Sequence, residues 1–202
     1  MVPRLSYGER CRYPDFRFHI QYSVFPEREC PVHTHDFAEL VVVCHGRGMH
    51  VIDNQRYPVV AGDVFVVRPG DVHGYSDIEG MAICNVVFDP EVFLKSNWDL
   101  CDLPGYHALF HLEPLYRHVH EFKSKLHLSE EKLHYAYQLI ARIEEEYIRR
   151  APGFQAMIAC HLGLLAGYLS RQYTEQETPA SRELLNLFRV RNHIEENYRE
   201  PI

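Results

Sequence analysis

The amino-acid sequence predicts a mainly β protein with C-terminal α structure: a small β-barrel followed by an antiparallel pair of helices. Two observations carry this prediction. Short runs of β-branched and aromatic residues, separated by turn residues at even intervals, fill residues 15–96, and this pattern is typical of a sandwich or barrel. After Ser129 the apolar period changes from two to three or four residues, which indicates amphipathic helices.

Six segments have the composition of strands. The first alternates cleanly between apolar and polar residues, which predicts a strand with one buried face. Asp53-Asn54 separates two of the others and predicts a hairpin turn. The six segments are Phe16–Val24, Phe37–His45, Met49–Ile52, Tyr57–Val60, Val64–Val67 and Met81–Phe88.

Two helices are predicted between residues 129 and 173. Ser129 is a suitable N-cap for the first, and Pro152-Gly153 breaks the pattern before the second. A break this short predicts an antiparallel hairpin. The second helix carries Leu162, Leu165 and Leu169 on one stripe, which is either core against the barrel or the seam of a dimer.

These patterns divide the chain into six parts. Between the barrel and the helices, scattered histidines without a common face indicate a solvated connecting segment. The parts are an arm (1–14), the barrel (15–96), the connecting segment (97–128), the helical hairpin (129–173), a polar linker (174–183) and the start of a further helical domain (184–202).

Composition and charge exclude several functions for these residues. The formal net charge is -7 and basic residues form no long run, so the chain is a poor match to a nucleic-acid-binding surface. The six cysteines form no CxxC pair, which favours free thiols in a reducing cytoplasm. The N-terminus lacks a signal-peptide h-region, and no segment has the length and apolarity of a membrane span, so we expect a cytoplasmic protein.

The stretch from His33 to His73 carries the candidate chemistry. His33, His35 and Glu39 point to the same side if they lie on one continuous strand, and His73 can join them from a later strand. Imidazole and carboxylate groups suit a divalent transition metal such as zinc, nickel, manganese or iron. The same groups could instead bond the hydroxyls of a small polar ligand.

Two further residues are candidates for the ligand site. Tyr75 lies just after His73 and lines the mouth of the pocket or stands on the surface. Asn85 interrupts an apolar strand and therefore points into the pocket or marks a bulge or edge.

The spacing of these residues resembles the cupin motifs. His33-Thr34-His35, three residues, Glu39, six residues and Gly46 resemble the first motif without a gap. Residues 62–73 resemble the second, although the glycine-to-proline spacing differs slightly and Asp77 stands where asparagine is common. The resemblance implies a double-stranded β-barrel, or jelly roll.

A cupin followed by a helical hairpin, a polar linker and the segment RVRNHIEENYREPI resembles the AraC family of transcription regulators, and especially its L-rhamnose-type members. The resemblance implies a non-enzymatic sensor that binds a small effector, often a sugar, in the barrel. It also implies a homodimer formed through the helices and contact with promoter DNA only through a C-terminal domain that this sequence lacks. The alternative is a metal-dependent cupin enzyme, an isomerase or an oxygenase.

Overall fold

The structure, a computed structural model, describes residues 2–10, 13, 16–53, 55–89, 93, 98–116, 125–176 and 178–197. Its strands are β1 (Arg4–Leu5), β2 (Phe18–Val24), β3 (Cys30–His35), β4 (Ala38–Ile52), β5 (Gln55–Val60), β6 (Asp63–Val67), β7 (His73–Phe88) and β8 (Leu126–His127). Its α-helices are α1 (Tyr7–Arg10), α2 (Pro104–His107), α3 (Glu113–Tyr116), α4 (Glu130–Arg149), α5 (Phe154–Glu175) and α6 (Pro179–Asn197). A 3-10 turn spans Trp98–Asp102, and a π-helical turn, Ala108–Leu112, joins α2 to α3.

Two long strands, β4 and β7, build the barrel because each passes through both of its sheets. In the first sheet the N-terminal half of β4 pairs with β6 and with the C-terminal half of β7, which also pairs with β2; β8 extends this sheet beyond β6. In the second sheet the other halves of β4 and β7 pair with each other and with β5 and β3 respectively. The pairing of β4 with β7 shifts register between Val43 and Met49, where the strands bend.

Gly46 lies at this bend. Its φ of 68° is in the left-handed region, and a Cβ there would overlap the backbone of Gly80 on β7. Only glycine fits both conditions, which explains its place in the motif.

Strand periodicity gives the first sheet two buried faces. On β4, Val41 and Val43 point into the barrel, whereas Leu40 and Val42 join the core between the barrel and the helices. The alternation of β2 suggests that its polar face meets solvent, but the structure places that face elsewhere. It lines the inside of the barrel, while the apolar face packs on the helices.

The helical hairpin covers the outer face of the first sheet. Ser129 caps α4 by accepting a hydrogen bond from the Lys132 amide, as predicted. Leu162, Leu165 and Leu169 of α5 are completely buried in this core, so the second use considered for them, the seam of a dimer, does not match their position. The predicted fold class, a β-barrel followed by an antiparallel helical hairpin, is confirmed.

The connecting segment differs from its prediction as a solvated surface. Tyr106 and Leu109 are buried, and the His107 ring stacks on Phe188 of α6 with 4.5 Å between ring centroids. Gly105 packs so tightly on α5 that a Cβ would overlap the Ser170 carbonyl oxygen. The helices thus bury apolar residues of this segment, and the polar residues between them had suggested a solvated surface.

The linker and the arm are also more ordered than expected. In the predicted linker, residues 174 and 175 belong to α5, and α6 begins at Pro179. Thr178 caps α6, because its Oγ1 accepts a hydrogen bond from the Ser181 amide. In the arm, β1 pairs with β3 in parallel. Asn54 of the predicted turn and residues 198–202 of the predicted last domain lie outside the described residues. In the described part of the chain, no helix combines the length and apolarity that crossing a membrane requires.

Candidate ligand and metal site

A polar cavity of about 60 Å³ lies between the two sheets. A cavity of this volume is large enough to hold more than one water molecule. Polar side chains lining it come from both sheets: His19, Gln21, Ser23, His33, Glu39, His73 and Asn85. Apolar and aromatic side chains complete the wall, chiefly Phe25, Phe37, Tyr75, Ile83 and Val87.

Three of the four predicted metal ligands converge beside this cavity, and two of them, Glu39 and His73, line it. His35, Glu39 and His73 are all buried, and their ligand atoms lie within 4.8 Å of one another. His35 Nε2 is 3.1 Å from His73 Nε2, and each of these nitrogens is 3.9 Å from Glu39 Oε2. The first sheet supplies the carboxylate and the second supplies both imidazoles.

The distances within the triad fit a transition-metal ion. A triangle with these three sides has a point about 2.1 Å from every corner, which matches the usual bond lengths of zinc to histidine nitrogen and carboxylate oxygen. Three protein ligands leave coordination positions for a bound molecule. The donor set suits zinc, nickel, manganese or iron and does not select among them.

The surroundings of His35 hold it in a state suited to ligation. Its Nδ1 donates a hydrogen bond of 2.7 Å to the Phe37 carbonyl, so the Nε2 lone pair faces the other two ligands. The rings of His35 and Phe37 stack with centroids 4.4 Å apart. Burial lowers the pKa of His35 from 6.5 to about 4, against the smaller raising effect of the bond to Phe37, so the ring is neutral at pH 7.

His33 lies beside the triad, outside the group of three ligand atoms that are mutually close. It pairs with His73 across β3 and β7, with 4.5 Å between ring centroids. Its Nδ1 is 3.1 Å from the Pro31 carbonyl oxygen, and the side chain is half-buried. The continuous strand assumed for His33, His35 and Glu39 is interrupted between β3 and β4, so the carboxylate arrives from the opposite sheet.

His50 is a site residue that the sequence analysis missed. It is buried on β4, and its Nε2 lies 3.5 Å from His73 Nδ1. The ring stacks on Phe65 with centroids 4.7 Å apart. His50 can thus orient the ring of His73 from outside the triad. The available signal was its place in the strand Met49–Ile52, which pairs with the segment that carries His73.

Tyr75 and Asn85 both face the cavity. Tyr75 is buried, its ring 5.2 Å from that of His50. Asn85 occupies a regular register position between Gln21 and Val41, so the alternative of a bulge is wrong. Its Nδ2 donates a hydrogen bond of 3.3 Å to Glu39 Oε2, while its Oδ1 is buried without a hydrogen-bond partner. A buried acceptor in this position requires a donor from a bound molecule or water.

The electrostatics of the cavity restrict what it can bind. None of the described residues lining it is a lysine or arginine, and Glu39 is the carboxylate among them. Without a metal ion, an anionic ligand would therefore lose its hydration and face a negative group, which is costly. A neutral molecule with several hydroxyls would find both donors and acceptors.

A buried polar cavity inside a β-barrel, with a helical hairpin on the outer face, defines a small-ligand-binding domain fused to helices. Residues 16–165 match the family model described as the AraC-like ligand binding domain, and the chain belongs to this family. The resemblance noted in the sequence is thereby confirmed, and the domain is an AraC-like ligand-binding domain.

The relatives agree with this assignment. The chain is 32% identical over 165 residues to the HTH-type transcriptional activators RhaR of Salmonella arizonae and Salmonella paratyphi B, which covers 80% of this chain and 54% of each relative. It thus spans about half the length of these curated relatives. It is also similar to an RmlC-like cupin protein from Desulfovibrio desulfuricans at 28% identity, with a TM-score of 0.33 over 36% of this chain and 72% of that one. For a predicted oxalate decarboxylase from Thermotoga maritima the identity is 19% and the TM-score 0.32, over 34% of this chain and 64% of that one.

Proposed function

We propose that this domain binds a neutral, hydroxylated small molecule, an unphosphorylated sugar, and that occupancy controls promoter binding by a C-terminal DNA-binding domain of the full protein. The observation that carries the ligand class is the buried, unpartnered Oδ1 of Asn85 beside the Glu39 carboxylate. Two adjacent acceptors suit two hydroxyl donors on neighbouring carbons. The protein is then a cytoplasmic regulator and not an enzyme.

The mechanism is a population shift. A ligand that binds one arrangement of barrel, arm and helices more tightly raises the population of that arrangement. The arm adjoins the site: the Tyr7 ring is 5.0 Å from Phe37, which stacks on His35. The arm therefore contacts Phe37, which lines the cavity and supports His35.

We also propose that His35, Glu39 and His73 hold a divalent transition metal in the cell. His33 remains a fourth candidate on the rim. When bound, the metal would supply a Lewis-acidic position for a ligand hydroxyl. The protein's own contribution is to keep His35 neutral and the carboxylate oriented by Asn85.

We place the homodimer interface on the exposed face of the hairpin and not on the buried leucines. Met157, Cys160 and Leu164 recur at three- and four-residue spacing on the solvent side of α5, and Leu164 is 52% exposed. Tyr135 of α4 is also exposed. Because Cys160 lies within this face, an oxidative crosslink between copies reports on the dimer directly.

The triad also favours a second function, a metal-dependent enzyme of the isomerase or oxygenase type. Three ligands with open coordination positions are sufficient for Lewis-acid chemistry. The two functions differ in turnover: a sensor binds its ligand unchanged. Incubating metal-loaded protein with a bound sugar and recovering that sugar quantitatively by NMR supports the sensor, whereas His35-dependent conversion supports the enzyme.

A thermal-shift screen tests the ligand class. Neutral monosaccharides, including L-rhamnose, are compared with their phosphates, in chelator and with each metal ion. At a concentration of 100 Kd, a ligand that binds only the folded state contributes about 2.7 kcal/mol to stability. We expect a neutral sugar to raise the melting temperature and its phosphate not to do so in chelator.

Asn85→Ala should abolish the sugar-dependent rise, and Asn186→Ala, on the exposed side of α6, is the matched control. Stabilisation by phosphorylated sugars alone would contradict the proposed ligand class. Elemental analysis of protein purified without added metal tests the triad separately: stoichiometric metal in the wild type and loss in His35→Ala are expected. Metal-free wild type would contradict the proposed metal site and leave the histidines as direct ligand contacts.

A further inference from the structure

One polar residue of the cavity also reaches the helical hairpin. His19 of β2 lines the cavity, and its Nδ1 is 3.0 Å from the hydroxyl of Tyr147 on α4. The two rings meet edge to face with centroids 5.8 Å apart. On the same face of β2, Gln21 and Ser23 hydrogen-bond to each other within the barrel. The hydrogen bond of His19 to Tyr147 thus links β2 to a helix.

Tyr147 lies where three parts of the molecule meet. It is buried, with ring centroids 5.7 Å from Phe18 of β2 and 5.4 Å from Tyr13 of the N-terminal segment. Arg150, three residues later, ends α4 with a φ of 50°. Its guanidinium carbon is 3.6 Å from the centroid of the Tyr13 ring and 4.6 Å from that of Phe154 on α5. The turn of the hairpin is therefore packed around Tyr147 and its aromatic neighbours.

We propose that the hydrogen bond between His19 and Tyr147 couples occupancy of the cavity to the hairpin. This inference rests on the proposed function, because it concerns how that site is regulated. Tyr147 acts as a positioning residue and makes no contact with the ligand itself.

The chemistry of the imidazole ring provides the coupling. With Nδ1 engaged by Tyr147, a ligand hydroxyl that bonds this ring would do so through Nε2. A neutral imidazole has one donor and one acceptor nitrogen, so a ligand group that fixes the role of Nε2 also fixes whether Nδ1 donates to the tyrosine or accepts from it. Linked hydrogen bonds polarise one another, so the strength of the bond to the helix depends on what the cavity contains.

Tyr147→Phe tests this inference, because it removes the hydroxyl and keeps the packed ring. Tyr168→Phe is the matched control: its hydroxyl donates a 2.9 Å hydrogen bond to the Lys132 carbonyl within the hairpin, away from the cavity. Amide hydrogen exchange is measured for β2 and for the turn between α4 and α5. Loss of one hydrogen bond corresponds to about fivefold faster exchange, the equivalent of about 1 kcal/mol.

We expect Tyr147→Phe to increase exchange by about fivefold in both segments, and Tyr168→Phe to leave β2 unchanged. His19→Gln should have the reciprocal effect on the hairpin turn, because coupling is symmetric. The double variant should add little to either single variant. Effects confined to the substituted element, or fully additive effects, would overturn the proposal. Should Tyr147→Phe fail to fold, an unchanged hairpin turn in His19→Gln would overturn it equally.

Measurements with added sugars separate this inference from the proposed function. The neutral monosaccharide panel is applied to the wild type and to Tyr147→Phe, with melting temperature and exchange as readouts. If no sugar stabilises the wild type, the proposed ligand class fails, while an absence of linked exchange between β2 and the turn still overturns the coupling proposal. If one sugar stabilises both proteins and alters turn exchange equally in both, the ligand class holds and the coupling proposal fails.

Discussion

Replacing Leu165 with alanine should lower the free energy of unfolding by about 3–5 kcal/mol, whereas the same change at Leu164 should alter it by less than about 0.5 kcal/mol. The two residues are neighbours on α5. Leu165 is completely buried between the hairpin and the barrel, and Leu164 is 52% exposed. Truncating Leu165 leaves a cavity in the core, which explains the larger loss of stability. Truncating Leu164 leaves no cavity, because its side chain is exposed.

Urea denaturation at several protein concentrations measures both effects. With m-values of about 1–3 kcal/mol/M, the Leu165→Ala midpoint should fall by at least about 1 M. Leu164→Ala should instead weaken self-association, seen by sedimentation and by loss of the Cys160 crosslink, with Cys160→Ser as the control. If Leu165→Ala weakened the dimer while Leu164→Ala destabilised the monomer, the assignment of the two faces would be refuted.

Three more predictions concern the site and the helices around it. In metal-free protein the free energy of unfolding should fall as the pH drops from 6.5 to about 4, because His35 takes up a proton more readily in the unfolded chain than in the folded protein. His35→Gln should remove at most about 3 kcal/mol of this pH dependence. Urea denaturation in chelator across that pH range measures the effect. Gly105→Ala should lower the melting temperature by several degrees, since its Cβ would overlap the Ser170 carbonyl oxygen; calorimetry showing no change would contradict the tight packing of α2 on α5. Phe188→Ala should release α6 from the connecting segment and speed amide exchange there, whereas exposed Val190→Ala should not.

Much of the fold could be predicted because strand and helix periods are local properties. The alternation of β2, the Asp53 turn and the Ser129 cap all follow from neighbouring residues, and each is present in the structure. The burial of the connecting segment could not be predicted in this way. Tyr106 is buried in the core that the barrel and the helices share, and the sequence of one segment does not show which distant elements will pack against it.

The site was predicted in composition and less well in geometry. The motif spacing identified His35, Glu39 and His73, which do converge. It placed His33 with them because a continuous strand was assumed, whereas the break between β3 and β4 brings the carboxylate from the other sheet. His50 was missed for a related reason: only pairing of β4 with β7 places it against His73.

The first sheet separates the cavity from the helices by one strand thickness, and this bears on how a sensor of this kind works. Neighbouring residues on its strands face opposite cores: Glu39 and Asn85 face the cavity, whereas Leu40 and Val86 pack toward the hairpin. A close-packed core does not absorb displacements smoothly, so a strand that shifts when a ligand bonds its inner face must shift its outer face too. By reciprocity, substitutions on the outer face should change ligand affinity although they touch no ligand. Isothermal titration of a stabilising sugar into Val86→Ala should therefore give an altered Kd, and an unchanged Kd would mean that the sheet acts as a rigid wall.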